Sequence, residues 1–176
     1  MQIVVINGMP RSGKDTFVDM CQNILGAKRC LNVSTVDFVK EVASVCGWDK
    51  TKTPENRAFL SDLKDLLTKW NDVPYTDIER RIKNFKRQLF FNSIKEEDSI
   101  VFIHCREPQE IQKFVDRMHA KTVLVRRNEV ENVEQSNHAD KDVFEYEYDC
   151  QVINNGTLED LQDIARDFLV FLGLSI

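Results

Sequence analysis

The sequence predicts an α/β fold built on a parallel sheet with helices on both faces. Two observations predict it. The chain opens on a short apolar, β-branched run, Ile3-Val4-Val5-Ile6, followed at once by the spacing G-x-x-x-x-G-K over Gly8–Lys14. Further short apolar runs then alternate with amphipathic stretches of helical period along the chain, the pattern of strand–helix–strand units.

The elements follow in order. The first strand covers about 3–7 and the first helix about 13–25. Cys30 to Val33 reads as a short strand. A helix follows from Val36 to Cys46, with Phe38, Val39, Val42, Ala43 and Cys46 on one face, and Gly47 ends it. Pro54 after Thr53 marks the start of a helix running to about Trp70, with Phe59, Leu60, Leu63, Leu66 and Leu67 at helical spacing. Residues 76–94 form another long helix. Ile100–Ile103 is a buried strand, 108–118 a helix and 122–125 the next strand. Residues 128–148 are polar, acidic and weakly periodic. Gln151-Val152-Ile153 is a last strand, Asn155-Gly156 a turn, and 158–172 a closing amphipathic helix.

With 176 residues and a net charge of −5, the chain suits one α/β domain and lacks the basic excess of a protein that coats nucleic acid. The five cysteines at 21, 30, 46, 105 and 150 contain no C-x-x-C pair, which predicts reduced thiols in a cytoplasmic protein. No apolar run approaches membrane-spanning length, and the first strand begins directly at the N-terminus, so no signal peptide and no membrane contact are expected.

The loop Gly8-Met9-Pro10-Arg11-Ser12-Gly13-Lys14-Asp15-Thr16 has the spacing of a phosphate cradle. Glycine lets the backbone curl and approach a polyphosphate, the amides converge on its oxygens, and the next helix aims its positive end at the same charge. Lys14 reaches the outer phosphates, and Arg11, inside the loop, lies near phosphate. Asp15 stands where a Ser or Thr hydroxyl usually meets Mg²⁺. It would hold the metal directly or through water, with Thr16 as the substitute hydroxyl.

The segment G-x-x-R-S-G-K-D at 8–15 resembles the loop of a branch of the nucleoside monophosphate kinase-like P-loop family. That branch includes phage-type deoxynucleoside monophosphate kinases and animal-type phosphomevalonate kinases. Lys40-Glu41 resembles the pair that opens the family's substrate-side helix. Arg106, with Glu110-Ile111 behind it, resembles the arginine after the third strand. Val152-Ile153-Asn154-Asn155-Gly156-Thr157-Leu158 resembles the V-I-x-N-x-G-x-L turn near the adenine. The resemblance implies a P-loop NTPase three-layer fold with a five-stranded parallel sheet in the order 2-3-1-4-5. It also implies a helical substrate-binding segment at about 36–96 and a lid at about 127–148, within a single domain.

The activity implied is transfer of the γ-phosphoryl group of ATP, with Mg²⁺, to a small phosphorylated acceptor such as a nucleoside or deoxynucleoside monophosphate. The alternatives are a nucleotide-binding regulator without turnover and a kinase of a non-nucleotide phosphate ester. Lys14 and Arg106 would carry the chemistry. Gly8, Arg11, Ser12, Gly13, Lys14, Asp15, Thr16 and Asn155 would hold the nucleotide, with one of Arg126 and Arg127 on its adenine or phosphates. Lys40 and Arg57 would take the acceptor's phosphate; the plainer reading puts them on a solvated helix face. Arg106 has its own plain reading, an ion pair with Glu107 or Glu110. His104 stands where the family carries an acidic residue that orients Mg²⁺ through water. His119 and His138 read as surface structure. The acidic run 142–149, with Phe144, Tyr146 and Tyr148, reads as a solvated edge or as a lid with aromatic contacts.

Overall fold

A strand covered on both faces must be apolar on both, and the first strand is: Val4, Val5 and Ile6 are all fully buried. The computed structural model describes residues 1–131 and 142–176. In it β1 (Gln2–Gly8) is the middle of a parallel sheet, with β2 (Cys30–Ser34), β3 (Ile100–His104), β4 (Lys121–Arg126) and β5 (Cys150–Ile153). The order is β2-β3-β1-β4-β5, the 2-3-1-4-5 arrangement expected. Register aligns Ile6 with His104 on one side and with Val123 on the other.

Alternate residues of β1 serve two separate cores. Val4 and Ile6 pack with Phe17, Val18 and Cys21 of α1 (Lys14–Leu25) and with Leu161, Phe168 and Leu169 of the closing helix (Leu158–Phe171). Val5 faces the other way, onto Ile78, Ile82 and Phe85 of α4 (Val73–Phe91) and Ile111 and Phe114 of α5 (Pro108–Met118). Between β2 and β3 lie α2 (Asp37–Val45), α3 (Pro54–Asn71) and α4. The short α6 (Asn128–Glu131) follows β4, and the closing helix is α7. Among the described residues no helix is long and apolar enough to cross a membrane.

α3 starts as expected: Thr53 caps it by accepting from the Asn56 amide at 3.2 Å, and Pro54 occupies its first turn. Its burial is the reverse of what its composition suggests. The side chain it buries is Lys64, while Phe59 and Leu66 are exposed. The cause is electrostatic. Lys64 Nζ donates to Glu107 Oε1 at 2.6 Å and to Glu110 Oε2 at 2.8 Å, so the helix turns its cationic face toward α5. The Cys105 thiol also donates to Glu110, at 3.4 Å. Burial disfavours the Lys64 charge, but the two carboxylates outweigh it and raise its pKa.

Lys64→Met should therefore destabilise the fold by about 2 kcal/mol. That is less than the roughly 3–5 kcal/mol of a fully buried pair, because Glu107 stays half exposed. Urea denaturation at unchanged m measures it. A loss under about 0.5 kcal/mol would class the contact with surface pairs.

Candidate functional site

The loop between β1 and α1 lies at the carboxyl edge of the sheet, where open α/β sheets bind ligands. Two glycines are sterically required in it. A Cβ on Gly8 would lie 2.6 Å from the Val125 carbonyl oxygen and 2.7 Å from Ser12 Oγ. A Cβ on Gly13, where φ is +88°, would lie 2.1 Å from Asn154 Nδ2. Arg11 is also left-handed, at φ 67°, so curled backbone brackets Ser12 on both sides. The Ser12 amide closes the turn onto the Met9 carbonyl at 3.1 Å. Gly13 brings no side chain to cap α1, so no capping side chain takes up the amides of the helix's first turn. Ser12 Oγ is buried with no hydrogen-bond partner among the described residues.

Two asparagines hold this loop. Asn154, just past β5, donates from Nδ2 to the Ser12 carbonyl at 2.8 Å. Asn7, fully buried at the end of β1, accepts from the Gly8 amide at 2.8 Å. Its Nδ2 donates to the Arg106 carbonyl at 3.2 Å and to the Tyr148 hydroxyl at 2.7 Å. Tyr148 passes its own proton to the Val143 carbonyl at 3.0 Å. Burial pushes that phenol up to about 12, so it serves as a neutral donor. Asn7 thus joins the loop, the end of β3 and the segment after residue 141. Neither asparagine stood among the sequence candidates; Tyr148 did, as an aromatic of the acidic run.

Lys14, Asp15, Arg106 and Lys40 all lie within electrostatic reach of His104. Lys14 Nζ contacts Asp15 Oδ1 at 2.5 Å, and that oxygen lies 3.6 Å from His104 Nδ1. Partial desolvation would raise the Asp15 pKa, but the Lys14 hydrogen bond and charge, with His104 and Arg106, hold it below the usual carboxylate range. His104 moves the other way. Burial and the charges of Lys14, Arg106 and Lys40 bring its pKa down to about 4 against the pull of Asp15, so it is neutral at pH 7.

The remaining candidates fall into two groups. Thr16 is exposed on the first turn of α1 beside Asp15, and Lys40 is exposed on α2. Arg57 is exposed on the first turn of α3, and no hydrogen bond or ion pair among the described residues ties its side chain to the loop. Arg126 is held on three sides. It forms a bidentate pair with Glu131 at 2.9 and 2.7 Å, reaches Gln151 at 3.3 Å and lies 5.6 Å from the Phe144 ring centroid. Arg127 pairs with the exposed Glu129 at 2.6 Å. Asn155 turns away from the loop and accepts from the Asn128 amide at 2.9 Å, leaving its neighbour Asn154 on the loop itself. His119 is exposed at the end of α5. His138 and the middle of the segment expected as a lid, 132–141, lie outside the described residues. The flank of that segment is no plain solvated edge: Val143 is buried, and Tyr146 and Tyr148 pack edge to face at 5.1 Å.

The site fits a polyphosphate, since a cradle closed to any Cβ and an unpartnered buried hydroxyl face the start of a helix. Its fit to Mg²⁺ is narrower. Among the described residues no group of three or more His, Cys, Asp or Glu could hold a metal ion, which leaves Asp15 as the carboxylate beside the loop. A Mg²⁺ here would take most of its ligands from phosphate and water.

His104 sets a pH dependence. A histidine with a folded pKa of about 4 and an unfolded one near 6.5 binds fewer protons when folded. Its contribution to stability is complete above about pH 6.5 and is lost as pH falls toward 4, on the order of 3 kcal/mol at 1.36 kcal/mol per pH unit. His104→Gln should flatten that acid limb. Unfolding free energies for both proteins between pH 7.5 and 4.5 check it, and parallel curves would overturn it.

No family model matches this chain, and no curated protein does. Solved structures similar to it include shikimate kinase from Aquifex aeolicus, with 16% identity over 98% of this chain and 96% of that one at a TM-score of 0.48. Shikimate kinase from Bacteroides thetaiotaomicron gives 13%, 98%, 99% and 0.45. The APS kinase CysC of Mycobacterium tuberculosis gives 13%, 96%, 96% and 0.42. We read the site from its own geometry.

Proposed function

We propose that this chain is an ATP-dependent phosphotransferase acting on a small phosphorylated acceptor, in the first instance a nucleoside or deoxynucleoside monophosphate. The observation that carries the reading is the Gly8–Gly13 cradle, bounded by Val125, Ser12 and Asn154 and open toward the first turn of α1. In this reading the loop amides and Lys14 hold the donor's outer phosphates. Lys14 leaves its contact with Asp15 to do so. Asp15 would be the residue of this chain that holds a Mg²⁺, which would supply charge neutralisation. Arg106 stabilises the charge that spreads during transfer. Lys40 and Arg57 receive the acceptor's phosphate, and Arg127 meets the nucleotide more readily than Arg126, whose guanidinium is committed to Glu131 and Phe144.

One observation favours a second reading, a nucleotide-binding regulator without turnover. His104 is neutral where the family resemblance calls for a carboxylate. A kinase of a non-nucleotide phosphate ester is the third. The test is a thermal-shift panel of nucleotides and phosphomonoesters, with and without Mg²⁺, followed by product assay on every pair that binds. ATP stabilisation plus a phosphorylated product supports the proposal. Binding without product in any pair selects the regulator, and no nucleotide binding overturns both.

Asp15→Ala should shift the Mg²⁺ dependence of ATP binding while leaving metal-free ADP binding near wild type. Titrating Mg²⁺ against both proteins checks this, and an unchanged dependence would remove Asp15 from the metal.

A further inference from the structure

The outer face of α3 carries Phe59, Leu63, Leu66 and Trp70, spaced four, three and four residues apart. This is the spacing of a helix–helix seam. Lys64 fixes the inner face of the helix; on the seam Leu63 is half-buried and the other three are exposed. Trp70 is 82% exposed, Leu66 63% and Phe59 38%. Asp62 and Lys69 flank it, one position before Leu63 and Trp70. Both are exposed, and neither forms an ion pair among the described residues.

We infer that this face pairs with α3 of a second copy of the chain, antiparallel across a two-fold axis. In that arrangement the apolar seam and its flanking charges are both self-complementary. Reversing the helix about the point between Leu63 and Leu66 sets leucine against leucine at the centre and Phe59 against Trp70 at both ends. The flanking charges follow the same symmetry: Asp62 of one copy falls beside Lys69 of the other, twice. A parallel pair would instead set Asp62 against Leu67 and leave Lys69 unmatched. Closed two-fold pairing also explains how a stripe with two large aromatic side chains avoids open-ended association. Four anchoring side chains from each copy put the contact at the small end of stable interfaces, so assembly belongs at micromolar concentration. The inference does not depend on the reaction proposed above.

Sedimentation velocity from about 1 to 200 µM tests it. The wild type should pass from monomer to dimer within that range. Asp62→Lys and Lys69→Glu alone should each weaken the dimer at least about tenfold, because each sets two like charges together. An equimolar mixture of the two variants should recover wild-type affinity as a heterodimer, since each then meets opposite charges at both positions. In a Trp48→Phe background, Trp70 emission should shift to the blue with assembly. A wild type that stays monomeric throughout overturns the inference. So does a dimer indifferent to both charge changes, or a mixture no tighter than either variant alone. All the altered charges are on exposed positions, so the variants fold.

Discussion

Gly13→Ala should abolish nucleotide binding and destabilise the fold by about 2–4 kcal/mol. Two costs combine. The backbone there is left-handed, which costs an L-residue roughly 1–2 kcal/mol. The new Cβ would also stand 2.1 Å from Asn154 Nδ2, so the amide must leave the Ser12 carbonyl that it holds at 2.8 Å. A buried hydrogen bond broken in this way costs a further 1–3 kcal/mol or so. Gly47, in the turn that ends α2, provides the internal control. Its φ is +90°, yet a Cβ there meets nothing within 4 Å, so Gly47→Ala should cost only the backbone part, roughly 1–2 kcal/mol. Adding Asn154→Ala to Gly13→Ala removes the collision, and the double variant should be more stable than additivity allows by about 1 kcal/mol. Chemical denaturation of wild type, the three single variants and the double variant, with ATP titrations alongside, decides the matter. Equal penalties at Gly13 and Gly47 would show that Asn154 does not clamp the loop.

Arg106→Ala should lower kcat by about a hundredfold or more while changing ATP affinity far less, the pattern of losing one donor used in the transition state. Arg106 follows β3 directly, and its carbonyl is fixed by Asn7, which also holds the Gly8 amide. The simpler account is a local ion pair with Glu107 or Glu110, whose carboxylates also receive Lys64. The measurement is single-turnover phosphoryl transfer with an acceptor already shown to react. A rate within about threefold of wild type, far short of that loss, would take Arg106 out of the chemistry. Since Lys64→Met acts on stability through the same two glutamates, it should not reproduce the kinetic defect at temperatures where it remains folded.

Local patterns were the readable part of this sequence. The apolar runs at 3–6, 100–103 and 122–125 are strands because a strand covered on both faces needs no polar alternation. The glycines at 8 and 13 were recognisable because their spacing answers a steric demand that few side chains could meet. What escaped is tertiary. Asn154 and Ser12 are 142 residues apart, and nothing in the local sequence distinguishes Asn154 from Asn155 beside it. Asn7 and Tyr148 meet across a similar distance. Lys64 was concealed by its own type, because a lysine in a helix reads as solvent-facing until two carboxylates from another element are set against it. The leucines of α3 revealed a helix but not which side of it faced the molecule.

The long reach of the Asn154 clamp has a consequence for synthesis. The loop leaves the ribosome early, but the amide that fixes it follows 142 residues later. At about 5–20 residues per second the delay is roughly 7–30 s. For most of it β1 waits as an unpaired apolar strand, since its neighbours β3 and β4 begin only at residues 100 and 121. The connections are long-range and parallel, which makes closure slow as well as late. Under the proposed function, nucleotide would protect only a chain that has reached β5, and truncated products would lack that protection.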